Sequence, residues 1–359
     1  MKFTPLSFPK DESSHDSVIE WWYFNGRLKS EDGGEYVFMY CLFKADPTRV
    51  KLPFLDKLPV KNFYFSHSLI SDINKKTFYP NVYLYPEIDK ESFNREEVFI
   101  KAQKDFLFEK IGDNKYSLKT PDLDLVLALK KEPLLIDGRG WIDLGAKDTY
   151  YYSLSNLEAK GKIKINGKEF SVEGKVWMDR QWSDGGYHPE DKWTWFSVQL
   201  ENNTEVLCFE YGDKVKTKSA TVSFPDGRQF FTRNVLFEPM GKIWQSPETK
   251  ADYELSWLIK IPEINLKIKT SPCNNDQEII FGNINYWEGG LDIEAEDGDS
   301  KIKGIGFMEM VGVPMRESLA KIFMERSRKM VNDKGGIQSF TKEYLKKGKD
   351  FVQDRYFKS

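Results

Sequence analysis

Short runs of β-branched and aromatic residues, separated by turn residues, recur along the chain from Ser17 to about Phe307. This pattern is typical of antiparallel sheets, in which tight turns join neighbouring strands. No sustained helical period occurs in this stretch, so we predict an all-β architecture. The turn signals lie at Asp32-Gly33-Gly34, Asn166-Gly167, Asn202-Asn203, Pro225-Asp226-Gly227 and Asp297-Gly298.

A polar segment, Ser183–Lys192, divides the β-rich region, because its glycines and its proline would interrupt a strand. The chain has 359 residues, whereas a single core usually stops growing near roughly 250–300 residues. We therefore predict an N-terminal β-domain over 1–190 and a second β-domain over 191–313. Residues 314–359 form a separate tail in this prediction.

The tail differs from the body in both period and charge. Its apolar residues fall at helical spacing, which predicts two amphipathic helices joined near Gly335-Gly336. It carries 12 Lys and Arg against 6 Asp and Glu. We expect these helices to pack on the body, although a basic amphipathic helix can also contact an anionic membrane surface. The apolar positions are Leu319, Ile322, Phe323, Met330, Ile337, Phe340, Tyr344, Phe351, Val352 and Tyr356.

Aromatic residues make up 15% of the chain, with 10 Trp, 17 Tyr and 26 Phe. Such residues either fill a core or line a large apolar pocket, and composition leaves both interpretations open. Outside the tail, 50 acidic residues outnumber 41 basic ones. An acidic body is a poor nucleic-acid surface, so we expect no nucleic-acid partner.

The three cysteines, Cys41, Cys208 and Cys273, are far apart and show no metal-ligand spacing. We therefore expect neither a disulfide framework nor a metal site. The sequence has no glycine-rich nucleotide loop, nucleophile elbow or metalloprotease motif, and we predict no cofactor. It also lacks an apolar leader and any run of about 18 apolar residues, which favours a cytoplasmic location.

One predicted strand contains a carboxylate beside large aromatic residues. Alternate residues of a strand share a face, so Glu20 lies with Trp22 and Phe24, while Trp21 and Tyr23 lie on the other face. A carboxyl group among aromatic rings can lose solvent, which raises its pKa. The alternative is that Glu20 ends the strand in solvent.

A second carboxylate follows the same logic near the end of the N-terminal domain. Trp177 and Asp179 share one face of their strand, and Val176 and Met178 share the other. If the first face meets a cavity, Asp179 can act as a general acid and Trp177 can stabilise a developing cation. The alternative is an ion pair between Asp179 and Arg180, and the sequence leaves both interpretations open.

His67 lies within a predicted strand and shares its face with Phe65 and Leu69. A half-buried, hydrogen-bonded histidine with a structural role is the ordinary interpretation of such a position. The alternatives are a place in an apolar ligand pocket and a metal triad of His15, His67 and His188, which no spacing rule supports.

Several ordered pieces of the chain resemble signature motifs of the carotenoid 1,2-hydratase (hydroxyneurosporene synthase) and AttH-type lipocalin-like superfamily. Together they span most of the β-rich region, and the tail lies outside the resemblance. The pieces are Glu20-Trp21-Trp22-Tyr23 preceded by His15, Phe65–Leu69, Tyr150–Ser153, Gly174–Ser183, Tyr286–Gly289 and Gly304–Glu309.

The resemblance implies two tandem lipocalin-like antiparallel β-barrels and a cavity for an apolar ligand. One branch of the superfamily hydrates a terminal double bond of carotenoids without a cofactor, and fungal relatives direct pericyclisations of polyenes. In the hydratase branch an aromatic-x-Asp pair protonates the alkene, which Trp177 and Asp179 match. The upstream His-x-aromatic pair of that branch aligns near Tyr150–Tyr152, where this chain has no histidine.

We therefore predict a cofactor-independent hydratase- or isomerase-like enzyme that binds an apolar isoprenoid or polyene in a barrel cavity. Asp179 is the predicted proton donor, and Trp177 and Glu20 complete the predicted catalytic group. The alternatives are a carrier that binds a lipid without turnover and a scaffold whose pocket its own side chains fill. The predicted ligand-binding residues are Trp21, Trp22, Tyr23, His67, Tyr151, Trp182, Trp195 and Trp287.

Overall fold

The computed structural model describes residues 3–49, 62–86, 98–102, 106–145, 147–185, 191–241, 243–281, 284–318, 320–322 and 324–325. Two large curled antiparallel sheets hold most of these residues, and helix is confined to three 3-10 turns and a short segment after Ser318. The prediction of an all-β architecture is confirmed.

The first sheet has twelve strands and comes from the N-terminal half of the chain. The strands are β1 (Ile19–Ser30), β2 (Glu35–Ala45), β3 (Phe63–Asp72), β4 (Thr77–Pro86), β5 (Phe99–Ala102), β6 (Phe106–Gly112), β7 (Lys115–Lys119), β8 (Leu123–Leu129), β9 (Leu134–Leu135), β10 (Trp141–Asp143), β11 (Asp148–Ile165) and β12 (Lys168–Ser183). Their order is β4-β3-β2-β1-β12-β11-β8-β7-β6-β5, and β9 and β10 also pair with β11. The motif strands β1, β12 and β11 are therefore direct neighbours, and β2 separates β1 from the motif strand β3.

The remaining strands of the described chain are β13 (Trp193–Leu200), β14 (Glu205–Tyr211), β15 (Thr217–Ser223), β16 (Gln229–Thr232), β17 (Leu236–Pro239), β18 (Trp244–Gln245), β19 (Asp252–Tyr253), β20 (Trp257–Ile261), β21 (Leu266–Pro272), β22 (Glu278–Phe281), β23 (Ile284–Asp297) and β24 (Ser300–Val311). Ten of them form the second sheet, in the order β16-β15-β14-β13-β24-β23-β21-β20-β17, and β22 also pairs with β23. The 3-10 turns cover Lys10–Glu12, Ile136–Gly138 and Pro262–Ile264.

The hairpin between β11 and β12 shows why turn residues locate the strands. Asn166 and Gly167 have φ values of 50° and 80°, the left-handed conformation that a two-residue hairpin turn requires. Both strands then pair in register from this turn to Tyr150 and Trp182, apart from one irregularity after Leu154. The other predicted turns also join paired strands, so these hairpin predictions are confirmed.

The two faces of the first sheet have different partners. One face packs against side chains of the same sheet and forms an apolar core with Trp22, Phe24, Val176 and Met178 at its centre. This core contains many further fully buried aromatic and aliphatic residues. The interior of the first sheet is therefore filled by its own side chains.

The other face of the first sheet packs on the second sheet. Tyr23, Cys41 and Trp177 from the first sheet share a core with Trp195 and Phe209 from the second. The ligand cavity described below opens within this shared layer. The predicted barrel cavity is thus located between the two sheets, and the filled interior of the first sheet does not hold it.

Both sheets belong to one compact unit, Met1–Trp244 with Tyr253–Val313. The predicted boundaries near residues 190 and 313 stay predictions. A second unit comprises Gln245–Asp252 and the chain from Pro314. Within it, the backbone N–H groups of Arg316 and Glu317 both donate to the carbonyl oxygen of Thr249 at 2.9 Å.

The described part of the tail contains one short helical segment, at residues 320–322 and 324–325. The predicted helices that flank Gly335-Gly336 lie outside the described residues. Within the described part of the chain, no helix has the length and the apolar composition needed to cross a membrane.

Candidate functional site

A cavity of about 240 Å³ lies between the two sheets. Most of its wall is aromatic or aliphatic, with partly exposed residues such as Trp21, Phe43 and Trp193 and buried ones such as Tyr23 and Phe209. Carboxyl groups from both sheets interrupt this apolar surface. A cavity of this kind binds an apolar molecule and places a few polar groups against it.

The first sheet contributes a transverse row of four residues to the cavity. Asp179 of β12 lies opposite Tyr23 of β1, Tyr23 lies opposite Cys41 of β2, and Cys41 lies opposite His67 of β3. All four line the cavity. Because opposite residues on paired strands point to the same face, the pairing register alone brings these distant residues together.

The carboxylate of Asp179 accepts three hydrogen bonds. The hydroxyl of Tyr151 donates to Oδ2 at 2.6 Å, and the hydroxyl of Ser153 and the indole Nε1 of Trp177 each donate to Oδ1 at 2.6 Å. The indole Nε1 of Trp195, from the second sheet, donates to the Tyr151 hydroxyl at 2.8 Å. The position of the carboxylate is therefore determined by both sheets.

Burial raises the pKa of Asp179 to about 7, although the hydrogen bonds from Ser153, Tyr151 and Trp177 lower it in part. The side chain is 3% exposed. A carboxyl group with this pKa is present in both protonation states near neutral pH, so it can either donate or accept a proton.

Arg180 does not neutralise Asp179, because it lies on the opposite face of β12, as strand alternation predicts. Its guanidinium donates to Glu20 Oε2 at 2.6 Å and lies 4.0 Å from the ring centre of Trp22. Lys44 Nζ donates to the other carboxylate oxygen of Glu20 at 2.8 Å. The predicted alternative of an ion pair between Asp179 and Arg180 is wrong.

Glu20 belongs to this ion cluster and does not line the cavity. Burial alone would raise its pKa, but the positive charges of Arg180 and Lys44 and the hydrogen bond with His15 hold the pKa well below its usual range. The predicted raised pKa is therefore wrong, because Glu20 is buried together with its counter-ions. Glu20 ties the N-terminal segment to the sheet.

The second sheet faces Asp179 with two glutamates. Glu288 of β23 lies directly opposite Glu309 of β24, and Glu309 lies opposite Trp195 of β13. Both glutamates line the cavity. The hydroxyl of Tyr23, from the first sheet, donates to Glu288 Oε2 at 3.0 Å.

Both glutamates resist ionisation. Burial and the neighbouring charge of Glu309 raise the pKa of Glu288 well above its usual range. Burial raises the pKa of Glu309 to about 7, a hydrogen bond with Trp193 opposes this change, and the charge of Asp179 adds to it. Among the described lining residues the only basic side chain outside the histidine is Lys147, whose Nζ lies 2.7 Å from Asp191 Oδ2.

A model of the AttH-like family matches residues 2–313, which covers both sheets and ends before the tail. This chain belongs to the AttH-like family. The curated dehydratase asqC of Emericella nidulans is 25% identical over 208 residues, which cover 52% of this chain and 57% of the dehydratase. The chain thus spans a little over half the length of that relative.

Solved structures share the fold of this AttH-like protein. An AttH-like protein of Nitrosomonas europaea has a TM-score of 0.75 at 23% identity, covering 86% of this chain and 98% of its own. Kievitone hydratase of Nectria haematococca has a TM-score of 0.66 at 16% identity, with 86% and 93% covered. CghA bound to Sch210972 has a TM-score of 0.55 at 11% identity, with 84% and 90% covered. Carotenoid hydration itself stays a prediction.

Six of the predicted catalytic and ligand-binding residues line the cavity of this AttH-like protein. Trp177 does not line the cavity, but its indole N–H donates to Asp179, which does. Trp22, Trp182 and Trp287 do not line it, because each is adjacent in sequence to a lining residue and therefore points to the other face of its strand. The residues brought together are Trp21, Tyr23, His67, Tyr151, Asp179 and Trp195.

His67 is buried in the cavity wall, where its Nδ1 hydrogen-bonds with the hydroxyl of Tyr286. Burial lowers its pKa to about 4, so the imidazole is neutral near pH 7. The described residues hold no cluster of His, Cys, Asp and Glu side chains arranged to bind a metal ion.

Sequence reasoning missed Glu288 and Glu309 as site residues. Both lie in pieces that resemble family motifs, Tyr286–Gly289 and Gly304–Glu309, yet their role depends on the pairing of β23 with β24. The sequence signal for Glu288 is the alternation of a strand. Tyr286 and Glu288 share one face, and Trp287 lies on the other.

Proposed function

We propose that this protein is a hydratase or dehydratase that needs no cofactor and acts on an uncharged isoprenoid or polyene in the cavity between the sheets. The observation that carries the proposal is Asp179, a buried carboxyl group with a pKa of about 7 that lines an apolar cavity. The names of two similar proteins, a dehydratase and a hydratase, support the same reaction class.

The chemistry of alkene hydration explains why such a carboxyl group is useful. A protonated Asp179 donates its proton to one alkene carbon, and the two π electrons form the new C–H bond. The other alkene carbon becomes a cation. The oxygen of a water molecule then bonds to this carbon, and the added water loses one proton to give the alcohol. Dehydration is the reverse sequence. The alcohol oxygen gains a proton and leaves as water with the electrons of the C–O bond, and the carboxylate of Asp179 then removes a proton from the carbon beside the cation, which forms the alkene.

The wall of the cavity suits a cationic intermediate. Aromatic faces attract cations, and Trp21, Trp193 and Trp195 all line the cavity. Exclusion of bulk water limits the reaction to water bound in the site. An anionic substrate would lose solvent beside Asp179, Glu288 and Glu309, which disfavours carboxylates and phosphates.

The proposal is tested with a panel of uncharged isoprenoid alkenes and their tertiary alcohols in isotopically labelled water, followed by mass spectrometry. We expect the protein to add one labelled oxygen to an alkene or to remove water from an alcohol. Asp179→Asn keeps the shape of the side chain but has no transferable proton, and we expect a rate loss of about 100-fold or more.

Asp124→Asn is the matched control, because Asp124 is an exposed carboxylate on β8 of the same sheet. This variant should react at the rate of the unmodified protein. A full rate in Asp179→Asn, or no reaction with any member of the panel, would contradict the proposal.

A carrier without turnover is the second candidate, favoured by the aromatic and aliphatic lining of the cavity. Binding of the uncharged dye Nile red, and its displacement by the panel, measures this function separately from reaction. Under the enzyme proposal, Asp179→Asn binds like the unmodified protein and fails only in turnover. Tight binding of panel members that remain chemically unchanged by the unmodified protein favours the carrier.

A further inference from the structure

We infer that Glu309 is a second catalytic residue, which accepts the proton of the attacking water from the wall opposite Asp179. This inference rests on the proposed hydratase or dehydratase function and extends it. It assigns protonation of carbon to the first sheet and activation of water to the second.

The two acids are connected along two routes, each made of side-chain hydrogen bonds and strand pairing. Along the first route, Asp179 accepts from Tyr151, Tyr151 accepts from Trp195, and Trp195 lies opposite Glu309 on the paired strand. These contacts fix the relative positions of two carboxyl groups that belong to different sheets. Such positioning is what a reaction with two proton transfers requires.

Along the second route, Asp179 lies opposite Tyr23 on β1, and Tyr23 donates to Glu288, which lies opposite Glu309. Repulsion between adjacent buried carboxylates is relieved when one of them holds a proton. Glu288 is 2% exposed and receives the Tyr23 hydrogen bond, so it is the deeper member of the pair. Glu309 retains partial exposure and faces the cavity, where a water molecule would bind.

The electrostatics agree with this division of roles. Burial raises the pKa of Glu309 to about 7, so near neutral pH a substantial fraction of it is ionised and able to accept a proton. The pKa of Glu288 is raised well above its usual range, first by burial and then by the charge of Glu309. The hydrogen bond from Tyr23 opposes this rise in part. In this inference Glu288 keeps its proton while Glu309 cycles.

Each step balances atoms and charge. Asp179 gives its proton to carbon and becomes a carboxylate, and the second alkene carbon becomes a cation. The water oxygen forms the C–O bond with a lone pair, and Glu309 takes one proton from that water. The alkene has gained one water molecule, and the proton on Glu309 returns to Asp179 by exchange with solvent, which restores the enzyme.

The division of roles gives two measurable partial reactions. In heavy water, reversible protonation by Asp179 exchanges deuterium into the alkene without forming a C–O bond. In oxygen-labelled water, completed hydration places the label in the alcohol. The test uses the full chain with farnesol and squalene as probes, and mass spectrometry counts both labels.

Glu309→Gln removes only the proposed base and is expected to keep deuterium exchange while it loses oxygen incorporation by about 100-fold. Asp179→Asn is expected to lose both labels. Glu294→Gln, an exposed position on β23, is the control and should keep both. Nile red binding shows that the cavity of each variant is intact.

The outcomes separate this inference from the function on which it rests. If the unmodified protein gives neither label, the proposed function fails, and this role fails with it. If the unmodified protein gives both labels and Glu309→Gln with an intact cavity also gives both, or loses both equally, the role of Glu309 is overturned while the function stands.

The pH profile of oxygen incorporation supplies a second readout that a structural role would not change. Because Glu309 must be ionised to accept the proton of water, the rate of oxygen incorporation should fall as the pH is lowered below about 7. This fall should be absent from the residual rate of Glu309→Gln. An unchanged fall in that variant would overturn the role. Among the described residues, the titratable groups that line the cavity together with Glu309 are Tyr23, Cys41, His67, Lys147, Tyr151, Asp179, Tyr211, Tyr286 and Glu288.

Discussion

Asp179 and Arg180 are neighbours in the sequence, but their side chains lie on opposite faces of β12. Asp179 is surrounded by hydroxyl and indole donors, which are neutral. Arg180 is surrounded by Glu20 and two indole rings. Both carboxylates are buried, yet their pKa values shift in opposite directions. The pKa of Asp179 is raised because its neighbours are neutral, and the pKa of Glu20 is lowered because its neighbours are positively charged.

This difference predicts that Asp179→Asn changes the pH dependence of stability. The folded-state pKa of Asp179, about 7, lies above its ordinary value of 3.8, so the folded state holds the proton more tightly. The contribution of Asp179 to the free energy of unfolding is fully present below about pH 4. This contribution, up to roughly 4 kcal/mol, is lost as the pH rises through 7. The variant removes that loss.

Urea unfolding at about pH 4 and about pH 8 measures the effect. We expect Asp179→Asn to be the less stable protein at the acid end, since it disturbs hydrogen bonds worth about 1–3 kcal/mol. At the alkaline end it should equal or exceed the unmodified protein. A stability difference that is the same at both pH values would contradict the raised pKa.

Glu20→Gln is the same kind of substitution as Asp179→Asn, but we expect it to lower the free energy of unfolding at neutral pH. It leaves Arg180 and Lys44 buried without their anion, and breaking a buried ion pair typically costs about 3–5 kcal/mol. Urea unfolding at neutral pH measures this loss. Glu169→Gln, whose exposed side chain pairs with Lys162 at 3.1 Å, is the control and should change stability by about 1 kcal/mol or less. A Glu20→Gln variant as stable as the control would show that the cluster contributes little.

At the scale of the strands, glycine spacing makes β12 and β1 pair closely. A Cβ atom added at Gly174 would lie 2.1 Å from the carbonyl oxygen of Arg27 on β1. A Cβ atom added at Gly167, in the hairpin turn, would meet nothing within 4 Å. Glycine is therefore needed at the two positions for different reasons, a close backbone contact at Gly174 and a positive φ at Gly167.

We expect Gly167→Ala to cost about 1 kcal/mol, from its positive φ alone. Gly174→Ala should cost more, because backbone must move to relieve the contact, and the movement reaches the strand that carries Asp179. Thermal unfolding compares the two variants directly. Equal losses would mean that the β1–β12 pairing adjusts without strain.

The strands also show what the sequence could predict. Turn residues located the hairpins, and alternation separated Asp179 from Arg180, because both depend on local geometry. Alternation defines two faces but does not say which face meets another sheet. For this reason the sequence predicts Trp22 and Trp182 at the cavity, whereas they belong to the core of the first sheet and its ion cluster. Glu288 and Glu309 were missed because long-range packing places them there.

At the scale of the whole molecule, the two sheets approach each other closely at a position where a side chain is absent. A Cβ atom at Gly290 of β23 would lie 2.5 Å from Val37 Cγ2 of β2. Gly290→Ala should therefore push the sheets apart and cost about 1–3 kcal/mol, as overpacking generally does. Thermal unfolding and Nile red affinity are the measurements.

Val37→Ala is the matched partner, since it removes the two methyl groups that the new Cβ atom would meet. The double variant should recover part of the stability that Gly290→Ala loses, which a double-mutant cycle detects as coupling. Additive losses would mean that the two positions do not control the separation of the sheets.

Each central strand of the first sheet presents cavity residues and core residues at alternate positions. A substitution at Phe43 or Phe65, for example, reshapes the binding surface without entering the core on the opposite face. Descendants of one ancestral sequence could thus exchange one preferred molecule for another while folding remained intact. The alternation that builds the sheet also makes its chemistry readily diversified by natural selection.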